Sequence, residues 1–574
     1  MVNVEQVISE KYPTFASKPS IIRKTALFML RRLFHEQEVN AFLEENHNCQ
    51  GFDFIDRVLD YFNFTYNLSN KDLMNIPSSG RVLIIANHPL GALDGLALLK
   101  MIGEIRKDVR IVANDMLSSF SQLSPLLLPV DNLNRATRKQ DIANINNALH
   151  NEEAVIVFPA GEVSRAGATG IKDSNWNPGF LHFAKKTNSP VLPVFIGGKN
   201  SSLFYTVSGI NRALSALLLP REMFNKRSMN LKFKVGEPIP YSQLDKLPVS
   251  GQEKCKMVRK HLYRLARGKS PLFKTEKTIA HPQDRKALKK ELRKSELLGE
   301  TADGKRIYLF DYQADSAVMR EVGRLREVSF RCVGEGTGEK LDIDRYDSHY
   351  RHLILWDEEE LEIVGAYRLA EAWKMHNNED DQLYSSTLFS YSPAMQQFFE
   401  QGIELGRSFV QPKYWGKRSL DYLWYGIGAY LKRHPQVRYM FGPVSLSNSY
   451  PQHAKDLLVY FYSLYFPDKD SLGKSFTPYA LKPEALAHLQ QLFCGTDYKE
   501  DFKILKQQMD FLNCAVPTLY KQYADVCEEG GVRFLDFGVD AEFNFCVDGL
   551  VPVDMNYLKE KKQARYIGRE NLPI

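Results

Sequence analysis

A histidine and an aspartate follow a short apolar run in the stretch IIANHPLGALDG, which begins at Ile84. They are His88 and Asp94, and the glycines and proline beside them are typical of a turn. An imidazole whose orientation is fixed by a carboxylate can take the proton from a hydroxyl or an amine as that group attacks. The pair therefore indicates a general base, although a hydrogen-bonded loop is the commoner meaning of such a pair taken alone.

A second stretch, VIVFPAGEVSRAG, again has an apolar run followed by a turn with proline and glycine. It places Glu162, Ser164 and Arg165 just beyond the predicted strand. A third stretch, NSPVLPVFIGG, supplies another apolar run flanked by prolines. Open α/β sheets bind their ligands beyond the carboxyl ends of their strands, so we expect these polar residues at such an edge.

The elements that must carry these residues are strands alternating with helices. In the first half, the runs VLIIA, VRIVA, AVIVF, PVLPVFI and LKFKVG alternate with helical patterns, which predicts an α/β domain with a largely parallel sheet. In the second half, HLILWD, EIVGAYRL, IELGRSFV and YMFGPVSL are predicted strands and SLDYLWYGIGAYLKRH is a predicted helix, which indicates a second, mixed α/β domain. A basic stretch with two prolines lies between them, so we expect domains at 1–280 and 285–574.

The charge is distributed unevenly along the 574 residues. Residues 1–290 carry a formal charge of +15 and residues 291–574 carry −9. A basic half favours an anionic partner such as a lipid surface or an acidic carrier protein, with an unselected surface bias as the alternative. The basic cluster at 251–290 has few interleaved aromatic residues, so we expect no nucleic-acid binding.

The seven cysteines are scattered and none lies in a CxxC pair, so we expect neither disulfides nor a metal site. The sequence has no signal-peptide pattern and no apolar run of the roughly 18 residues that a membrane span needs. We therefore expect a cytoplasmic protein that contacts the inner membrane peripherally. The stretch SIIRKTALFMLRRLF is a candidate interfacial helix, and an ordinary core-packed helix is an equal alternative.

The stretches of the first half resemble the motifs of the glycerolipid acyltransferases over residues 75–240. That family has NH-x4-D and FPEGTRS, where this chain has H-x5-D and FPAGEVSR, two departures typical of a hemolysin-named branch of the family. The resemblance implies that His88 is the general base for an acceptor hydroxyl and that Asp94 holds its imidazole. The same resemblance implies a set of substrate-binding residues, which comprises Asn87, Asp131, Arg135, Gly161, Glu162 and Arg165. For Arg135, a solvated charge at a helix start is an equal alternative.

The second half resembles the GNAT-type N-acyltransferases, and within them the branch that makes lyso-ornithine lipid and is related to acyl-homoserine-lactone synthases. The resemblance rests on ELGRS, with Glu404 and Arg407, and on KYWGKR, with Gly416 and Arg418. It implies that Glu404 acts on the amine, that Arg407 binds an anion, and that Gly416 and Arg418 belong to a donor-binding loop before a helix N-terminus. Arg418 in this loop favours an acyl carrier protein over coenzyme A as donor. An internal Glu404–Arg407 pair that only fixes the strand is the alternative.

Two such domains in this order resemble the bifunctional ornithine lipid synthases. The resemblance implies that the C-terminal domain acylates ornithine with a 3-hydroxyacyl chain and that the N-terminal domain then esterifies the hydroxyl, using acyl-ACP or acyl-CoA and no cofactor. The expected partners are acyl carrier protein, inner-leaflet lipids and ornithine. Glycine or another amino acid as the amine, and lysophosphatidic acid as the acceptor of the N-terminal domain, are alternatives, and a membrane-binding hemolysin without catalysis is a minor one.

Overall fold

The computed structural model of the chain describes residues 3–5, 20–114, 120–130, 139–167, 170–375, 382–541 and 543–568. The chain divides into two compact units, Met1–Thr278 and Ile279–Ile574. Both units are mixed α/β, as the sequence predicts.

The N-terminal unit is built on a sheet in which seven of its described strands pair in the order β1-β9-β8-β2-β5-β3-β4. Every pairing in this sheet is parallel except β8 with β9, and β6 and β7 form a separate antiparallel hairpin. The strands are β1 (Thr65–Asn67), β2 (Val82–Ala86), β3 (Val109–Asn114), β4 (Leu127–Val130), β5 (Ala154–Val157), β6 (Arg165–Gly167), β7 (Gly170–Lys172), β8 (Val191–Gly197) and β9 (Asn230–Val235). The five strands predicted in this half are all confirmed.

The central strands of this sheet are buried on both faces, which explains their uninterrupted apolar sequences. Within β2, Ile84 packs into one apolar core and Leu83 and Ile85 pack into another. The helices of this unit are α1 (Ser20–Leu33), α2 (Glu36–Glu45), α3 (Gly51–Tyr61), α4 (Asn70–Leu73), α5 (Ala92–Gly103), α6 (Lys139–His150), α7 (Gly179–Thr187), α8 (Ser202–Ile210), α9 (Arg212–Leu217), α10 (Leu219–Phe224), α11 (Tyr241–Asp245) and α12 (Gly251–Ala266).

The C-terminal unit contains an eight-stranded sheet among its described residues, in the order β10-β11-β12-β13-β15-β16-β19-β18. Its pairings are antiparallel except β15 with β16, and β14 pairs with β17 outside it. The strands are β10 (Glu296–Glu300), β11 (Lys305–Asp311), β12 (Arg351–Asp357), β13 (Glu362–Glu371), β14 (Phe389–Tyr391), β15 (Gly402–Val410), β16 (Tyr439–Leu446), β17 (Gly473–Ser475), β18 (Phe537–Asp540) and β19 (Cys546–Asp554). The four strands predicted in this half are confirmed.

The predicted long helix of the second half is also confirmed, as α17. The helices of this unit are α13 (Arg285–Leu292), α14 (Ala317–Val333), α15 (Ala372–Met375), α16 (Gln396–Glu400), α17 (Ser419–Arg433), α18 (Gln452–Tyr465), α19 (Pro483–Leu492), α20 (Tyr498–Phe511), α21 (Thr518–Ala524) and α22 (Glu560–Tyr566).

Strand β15 departs from regular geometry at Arg407. The parallel ladder with β16 ends at the pair Glu404–Phe441, and the register with β13 shifts between its pairs Ala366–Phe409 and Arg368–Gly406. Arg407 lies in this shift with a φ of 46°, in the left-handed region. A bulge of this kind bends a strand and redirects a side chain, which gives Arg407 a direction that a regular strand would not provide.

Candidate active sites

The carboxyl end of β2 places a histidine against a buried aspartate in the N-terminal unit. Strand β2 ends at Ala86 and helix α5 begins at Ala92, so His88 lies in the connection and Asp94 in the first turn of the helix. Nδ1 of His88 is 2.9 Å from Oδ1 of Asp94, whose side chain is fully buried, whereas that of His88 is 20% exposed. The two residues singled out by the sequence therefore lie in contact, with the imidazole accessible from one side.

The surroundings of His88 set its basicity. Burial by itself lowers the pKa of His88, but the Asp94 carboxylate, assisted by Asp173, outweighs burial and holds that pKa above its usual value. The imidazole stacks on the ring of Phe158, with 4.1 Å between the ring centroids. An imidazole held in this way can accept a proton from a hydroxyl through Nε2, the nitrogen on the far side of the ring from Asp94.

Asp173 is a carboxylate of this site that the sequence analysis missed. Its Oδ1 accepts hydrogen bonds from the backbone N–H of His88 at 3.2 Å and from Oγ of Ser164 at 2.5 Å, and its Oδ2 accepts from Nε1 of Trp176 at 2.9 Å. Asp173 thereby ties the histidine turn to the second motif. The only signal in the sequence is an aspartate a few residues beyond that motif, which spacing alone does not distinguish from a surface residue.

Asn87, expected to bind substrate, has its amide engaged by the neighbouring strand. Its Nδ2 donates to the carbonyl of Ile196 at 2.8 Å and its Oδ1 accepts from the N–H of Ile196 at 2.7 Å. These two bonds fasten the end of β2 to β8. The geometry favours a structural role for Asn87, which fixes the end of β2 directly before His88.

The second motif forms a turn beside His88. The N–H of Ser164 donates to the carbonyl of His88 at 2.7 Å, and Gly161 has a φ of 64°, a left-handed conformation that suits glycine. Nη2 of Arg165 donates to Oε2 of Glu162 at 2.9 Å. Three of the predicted substrate-binding residues, Gly161, Glu162 and Arg165, therefore lie next to the proposed base. Asp131 and Arg135 lie outside the described residues.

In the C-terminal unit, Glu404 is a fully enclosed carboxylate. It is 1% exposed and accepts hydrogen bonds from the backbone N–H and from Oγ of Ser385, the latter at 2.8 Å. Burial raises the pKa of Glu404 to about 7, although the bonds from Ser385 and the charge of Arg368 oppose the rise. A carboxylate with this pKa can accept a proton near neutral pH.

Arg407 is surrounded by carboxylates and rings. Its Nε is 3.4 Å from Oδ2 of Asp342 and its Nη2 is 3.5 Å from Oδ2 of Asp344, and its guanidinium lies over the rings of Tyr384 and Phe543. Within the described residues, Glu404 and Arg407 do not form an ion pair with each other. Glu404 is bonded to Ser385, and Arg407 is paired with Asp342. The alternative of a simple strand-fixing pair between them is therefore not what the structure shows.

Around these two residues lies a buried ion network that the sequence analysis missed. Arg368 donates to both carboxylate oxygens of Asp344 at 2.7 and 2.8 Å, and Arg326 donates to Oδ1 of Asp347 at 2.8 Å. Both arginines are almost completely buried. The acidic residues come from the stretch DIDRYD, and its density of aspartates directly before a predicted strand is the signal that could have identified it.

Three further carboxylates lie near Arg407. They are Glu335, Asp540 and Asp548, and the latter two are 4% and 3% exposed. Burial, reinforced by the charge of Asp548, raises the pKa of Glu335 to about 7. Burial likewise raises the pKa of Asp548 to about 6, with Asp540 adding to the rise. The carboxylates around Arg407 therefore make this part of the unit acidic, and the binding of a cationic group there would be electrostatically favourable.

The predicted donor loop lines an open cavity of about 530 Å³ at the start of α17. Gly416 has a φ of 74°, and Arg418 directly precedes the first helical residue, Ser419. Lys413, Lys417 and Arg418 line this cavity, although Lys413 is paired with Glu360 and Glu362. Four carboxylates, Asp303, Asp357, Glu359 and Glu360, also line the cavity, so binding of the phosphate groups of a pantetheine donor would depend on the helix N-terminus with Lys417 and Arg418.

None of the helices within the described ranges is long and apolar enough to cross a membrane. Among the same residues, no cluster of three or more histidine, cysteine, aspartate or glutamate side chains has the arrangement of a metal site.

Comparison with known proteins agrees with this division into two units. Residues 6–270 match the family model described as Acyltransferase, and residues 325–425 match that described as Acetyltransferase (GNAT) domain. A glycine N(alpha)-acyltransferase of Bacteroides thetaiotaomicron is 34% identical over 50% of this chain and 89% of its own length. A lyso-glycine lipid O-acyltransferase of Phocaeicola vulgatus is 29% identical over 44% of this chain and 91% of its own length. An L-ornithine N(alpha)-acyltransferase of Brucella abortus is 29% identical over 25% of this chain and 60% of its own length.

These matches and the resemblance found in the sequence point to the same chemistry. The chain covers 89% of the Bacteroides thetaiotaomicron enzyme at 34% identity, and both family models describe acyl-transferring domains. The chain belongs to the acyltransferases and joins an acyltransferase domain and a GNAT domain in one polypeptide.

Proposed function

We propose that the chain makes an amino-acid lipid by two successive acyl transfers. The C-terminal unit transfers a 3-hydroxyacyl group from a thioester donor to the α-amine of an amino acid, forming an amide. The N-terminal unit then transfers a second acyl group to the 3-hydroxyl of that product, forming an ester. In this proposal both steps need only the thioester donors.

The contact between His88 and Asp94 at the end of β2 carries the proposal for the second step. As the acceptor hydroxyl oxygen attacks the thioester carbonyl, Nε2 of His88 takes the hydroxyl proton. The carbon–sulfur bond breaks, and the leaving thiolate receives that proton from the imidazolium. Asp94 stabilises the imidazolium between these two transfers, as the raised pKa of His88 indicates.

Glu404 and Arg407 support the first step. An α-amine is mostly protonated at neutral pH and must lose a proton before it attacks, and Glu404, with its pKa of about 7, is suited to accept that proton. Contacts of 3.4 and 3.5 Å with Asp342 and Asp344 fix the guanidinium of Arg407 on the same strand, and we propose that it contacts the α-carboxylate of an amino acid whose ammonium group is balanced by the surrounding carboxylates. The amine and the carboxylate of one small acceptor would thus be held by two groups of the same strand.

Glycine is the acceptor that similarity favours. The relatives named glycine N(alpha)-acyltransferase and lyso-glycine lipid O-acyltransferase are each matched over about nine tenths of their length. Their names describe the same two reactions that we propose for this chain. Lysophosphatidic acid remains the alternative acceptor of the N-terminal unit and is tested below.

Ornithine is a second candidate acceptor, favoured by the buried carboxylates beside Arg407. Ornithine differs from glycine by a side chain that ends in a second ammonium group. Glu335, Asp540 and Asp548 would give this ammonium group an acidic environment, and a nearby cation would lower the raised pKa values of Glu335 and Asp548. These buried carboxylates are the observation that supports ornithine as a second candidate acceptor.

We also propose that acyl carrier protein delivers the donors and that the N-terminal unit works at the inner membrane surface. Helix α1 exposes Phe28 and Met29, which are 69% and 66% exposed, beside exposed basic residues. Apolar side chains among cations are suited to the headgroup region of an anionic bilayer. The first product is an amphiphile, so it would remain at the surface where the second step takes place.

Product analysis tests the proposal. Purified full-length protein is incubated with glycine and ornithine in equal concentration, 3-hydroxyacyl and acyl carrier proteins, and lipid vesicles, and the lipids are identified by mass spectrometry. We expect an N-acyl amino acid first and its O-acylated form later, with the headgroup mass identifying the amino acid. Absence of both amides contradicts the first step, and accumulation of the amide without the ester contradicts the second.

A further inference from the structure

The turn beside His88 contains an arginine that is already neutralised by the chain itself. Arg165 donates through Nη2 to Oε2 of Glu162 at 2.9 Å, and its Nη1 donates to Oγ of Ser215 at 2.6 Å and also contacts Ser208. Its guanidinium lies 5.8 Å from the ring centroid of Phe204. The side chains of Arg165 and Glu162 are 17% and 27% exposed, so this pair lies in a partly desolvated wall.

Glu162 is held in its charged form. Burial by itself raises the pKa of Glu162, but hydrogen bonds from Ser174 and Arg165 and the charges of Arg165 and Arg212 outweigh it, and the net effect is a lowered pKa. Nη1 of Arg212 is 3.7 Å from Oε1 of Glu162, and the Arg212 side chain is 74% exposed. These three residues together carry two positive charges and one negative charge.

This balance determines which acceptor headgroup fits beside the base. A phosphate monoester carries a charge of about −1.5 to −2 at neutral pH, and bidentate binding to Arg165 would place it against the Glu162 carboxylate. An N-acyl amino acid such as N-(3-hydroxyacyl)glycine carries a single carboxylate, which the one surplus positive charge of the three residues can balance. Like-charge contact is an effective means of rejecting a competing ligand.

We propose that Glu162 is a specificity residue that occupies the anion-binding face of Arg165, so that the acceptor subsite beside His88 accepts a headgroup with a single carboxylate and rejects a phosphate monoester. The proposal rests on the function proposed above, since it describes the acceptor of the second transfer. It applies to the turn that the N–H of Ser164 ties to the backbone carbonyl of His88, so an acceptor headgroup bound at this turn would lie close to the imidazole.

The test compares two acceptors on the full-length protein and on Glu162→Gln. The acceptors are N-(3-hydroxyacyl)glycine and lysophosphatidic acid of equal chain length, presented in vesicles of neutral lipid. We expect the wild-type kcat/KM to favour the amino-acid acceptor by about 100-fold or more, and Glu162→Gln to narrow this ratio by about tenfold. Glu153→Gln is the matched control, because Glu153 also pairs with an arginine of the same unit, Arg110, at 2.8 Å.

The affinity of the same subsite for a phosphate monoester can also be measured without any reaction. Monododecyl phosphate is titrated into the wild-type protein, Glu162→Gln and Glu153→Gln by calorimetry. We expect Glu162→Gln to bind it about tenfold more tightly than the other two. Equal affinity for all three, with unchanged thermal unfolding, overturns the inference. Failure of the wild-type protein to esterify N-(3-hydroxyacyl)glycine contradicts the proposed function instead, and the binding comparison still decides the role of Glu162.

Discussion

The two carboxylate oxygens of Asp94 serve different partners: Oδ1 lies 2.9 Å from Nδ1 of His88, whereas Oδ2 accepts hydrogen bonds from the N–H groups of Leu90 at 2.7 Å and Gly91 at 3.3 Å. The aspartate is therefore fixed to the turn that carries the histidine. The imidazole is oriented by a group that cannot move independently of it, which is the preorganisation that a general base requires.

Removing the imidazole should separate the two reactions. With His88→Ala, we expect N-acylation at the wild-type rate and a loss of O-acylation by a factor of about 10² to 10⁴, the usual contribution of a general base. The amide product should accumulate in the lipid extract, followed by mass spectrometry. His182→Ala removes an exposed histidine of the same unit and should leave both products unchanged. Formation of the diacyl lipid by His88→Ala at the control rate would show that His88 is not the base.

Removing the charge of Asp94 should change the pH dependence of O-acylation. The base acts in its neutral form, and its pKa is held above the usual value, so in the wild-type protein kcat/KM should fall as the pH drops through a value above about 6.5. In Asp94→Asn the effect of burial prevails, so this fall should occur at lower pH while the maximal rate decreases. Asp60→Asn, a change of an exposed aspartate, is the control. An unchanged pH profile in Asp94→Asn would contradict the coupling.

The first reaction should depend on Glu404 in the same way. Because burial raises the pKa of Glu404 to about 7, N-acylation should decline as the pH falls through about 7. Glu404→Gln should lower kcat for N-acylation by a factor of about 10² or more, and the remaining activity should no longer decline as the pH falls through about 7. O-acylation of added N-(3-hydroxyacyl)glycine should not change. Glu400→Gln alters an exposed glutamate just before the same strand and is the control. A wild-type rate and profile in Glu404→Gln would assign the proton transfer elsewhere.

The buried network of the C-terminal unit should be important for stability. Arg326→Ala would leave Asp347, which is fully buried, without its 2.8 Å partner, and we expect the unfolding free energy of this unit to fall by about 3–5 kcal/mol. The pKa of Asp347 lies far below its usual value, chiefly because Arg326 and Arg368 oppose the effect of burial, so the loss should be greatest above the pKa of an unfolded aspartate. Arg320→Ala removes an exposed pair from the same helix, with side chains 53% and 91% exposed, and should cost about 1 kcal/mol or less. Calorimetry of both variants provides the comparison, and equal shifts would contradict the importance of burial.

Helix α1 should contribute to membrane attachment. The double change Phe28→Glu and Met29→Glu replaces two exposed apolar side chains with charges that an anionic bilayer repels, so we expect binding to vesicles containing phosphatidylglycerol to weaken by about tenfold or more. Binding is measured by sedimentation of the vesicles. Phe511→Glu changes an 80% exposed phenylalanine of the other unit and serves as the control in this assay. Equal vesicle binding by the two variants would exclude α1 as the attachment surface.

The strands and the catalytic pair could be predicted because their signals are local. An uninterrupted apolar run such as Val82–Ala86 indicates a strand buried on both faces, and the residues that follow it must then lie at the edge of the sheet. His88 and Asp94 are only six positions apart, so one turn and one helix start are enough to bring them together. No long-range contact had to be guessed.

Asp173 and the buried network around Arg368 could not be predicted because distant segments bring these residues together. Asp173 reaches His88 across 85 positions of the chain, and Arg368 meets Asp344 across 24. Charged residues such as Arg368 are usually exposed, so nothing in the sequence marks one as buried until its partners are placed around it. From its place in the motif, Asn87 is expected to bind substrate, but its side-chain amide is hydrogen-bonded to the backbone of Ile196, a contact that the motif does not reveal.

The left-handed backbone at Arg407 has a consequence for engineering this protein. Glycine adopts a φ of 46° without the steric penalty that any larger residue incurs, so a design rule that considers the backbone alone would select glycine at this position. That exchange would also delete the guanidinium proposed to hold the incoming amino acid. It would also leave the buried carboxylate of Asp342 without its charged partner, so the exchange should lower thermal stability as well as turnover, and a stabilised variant of this chain should keep Arg407.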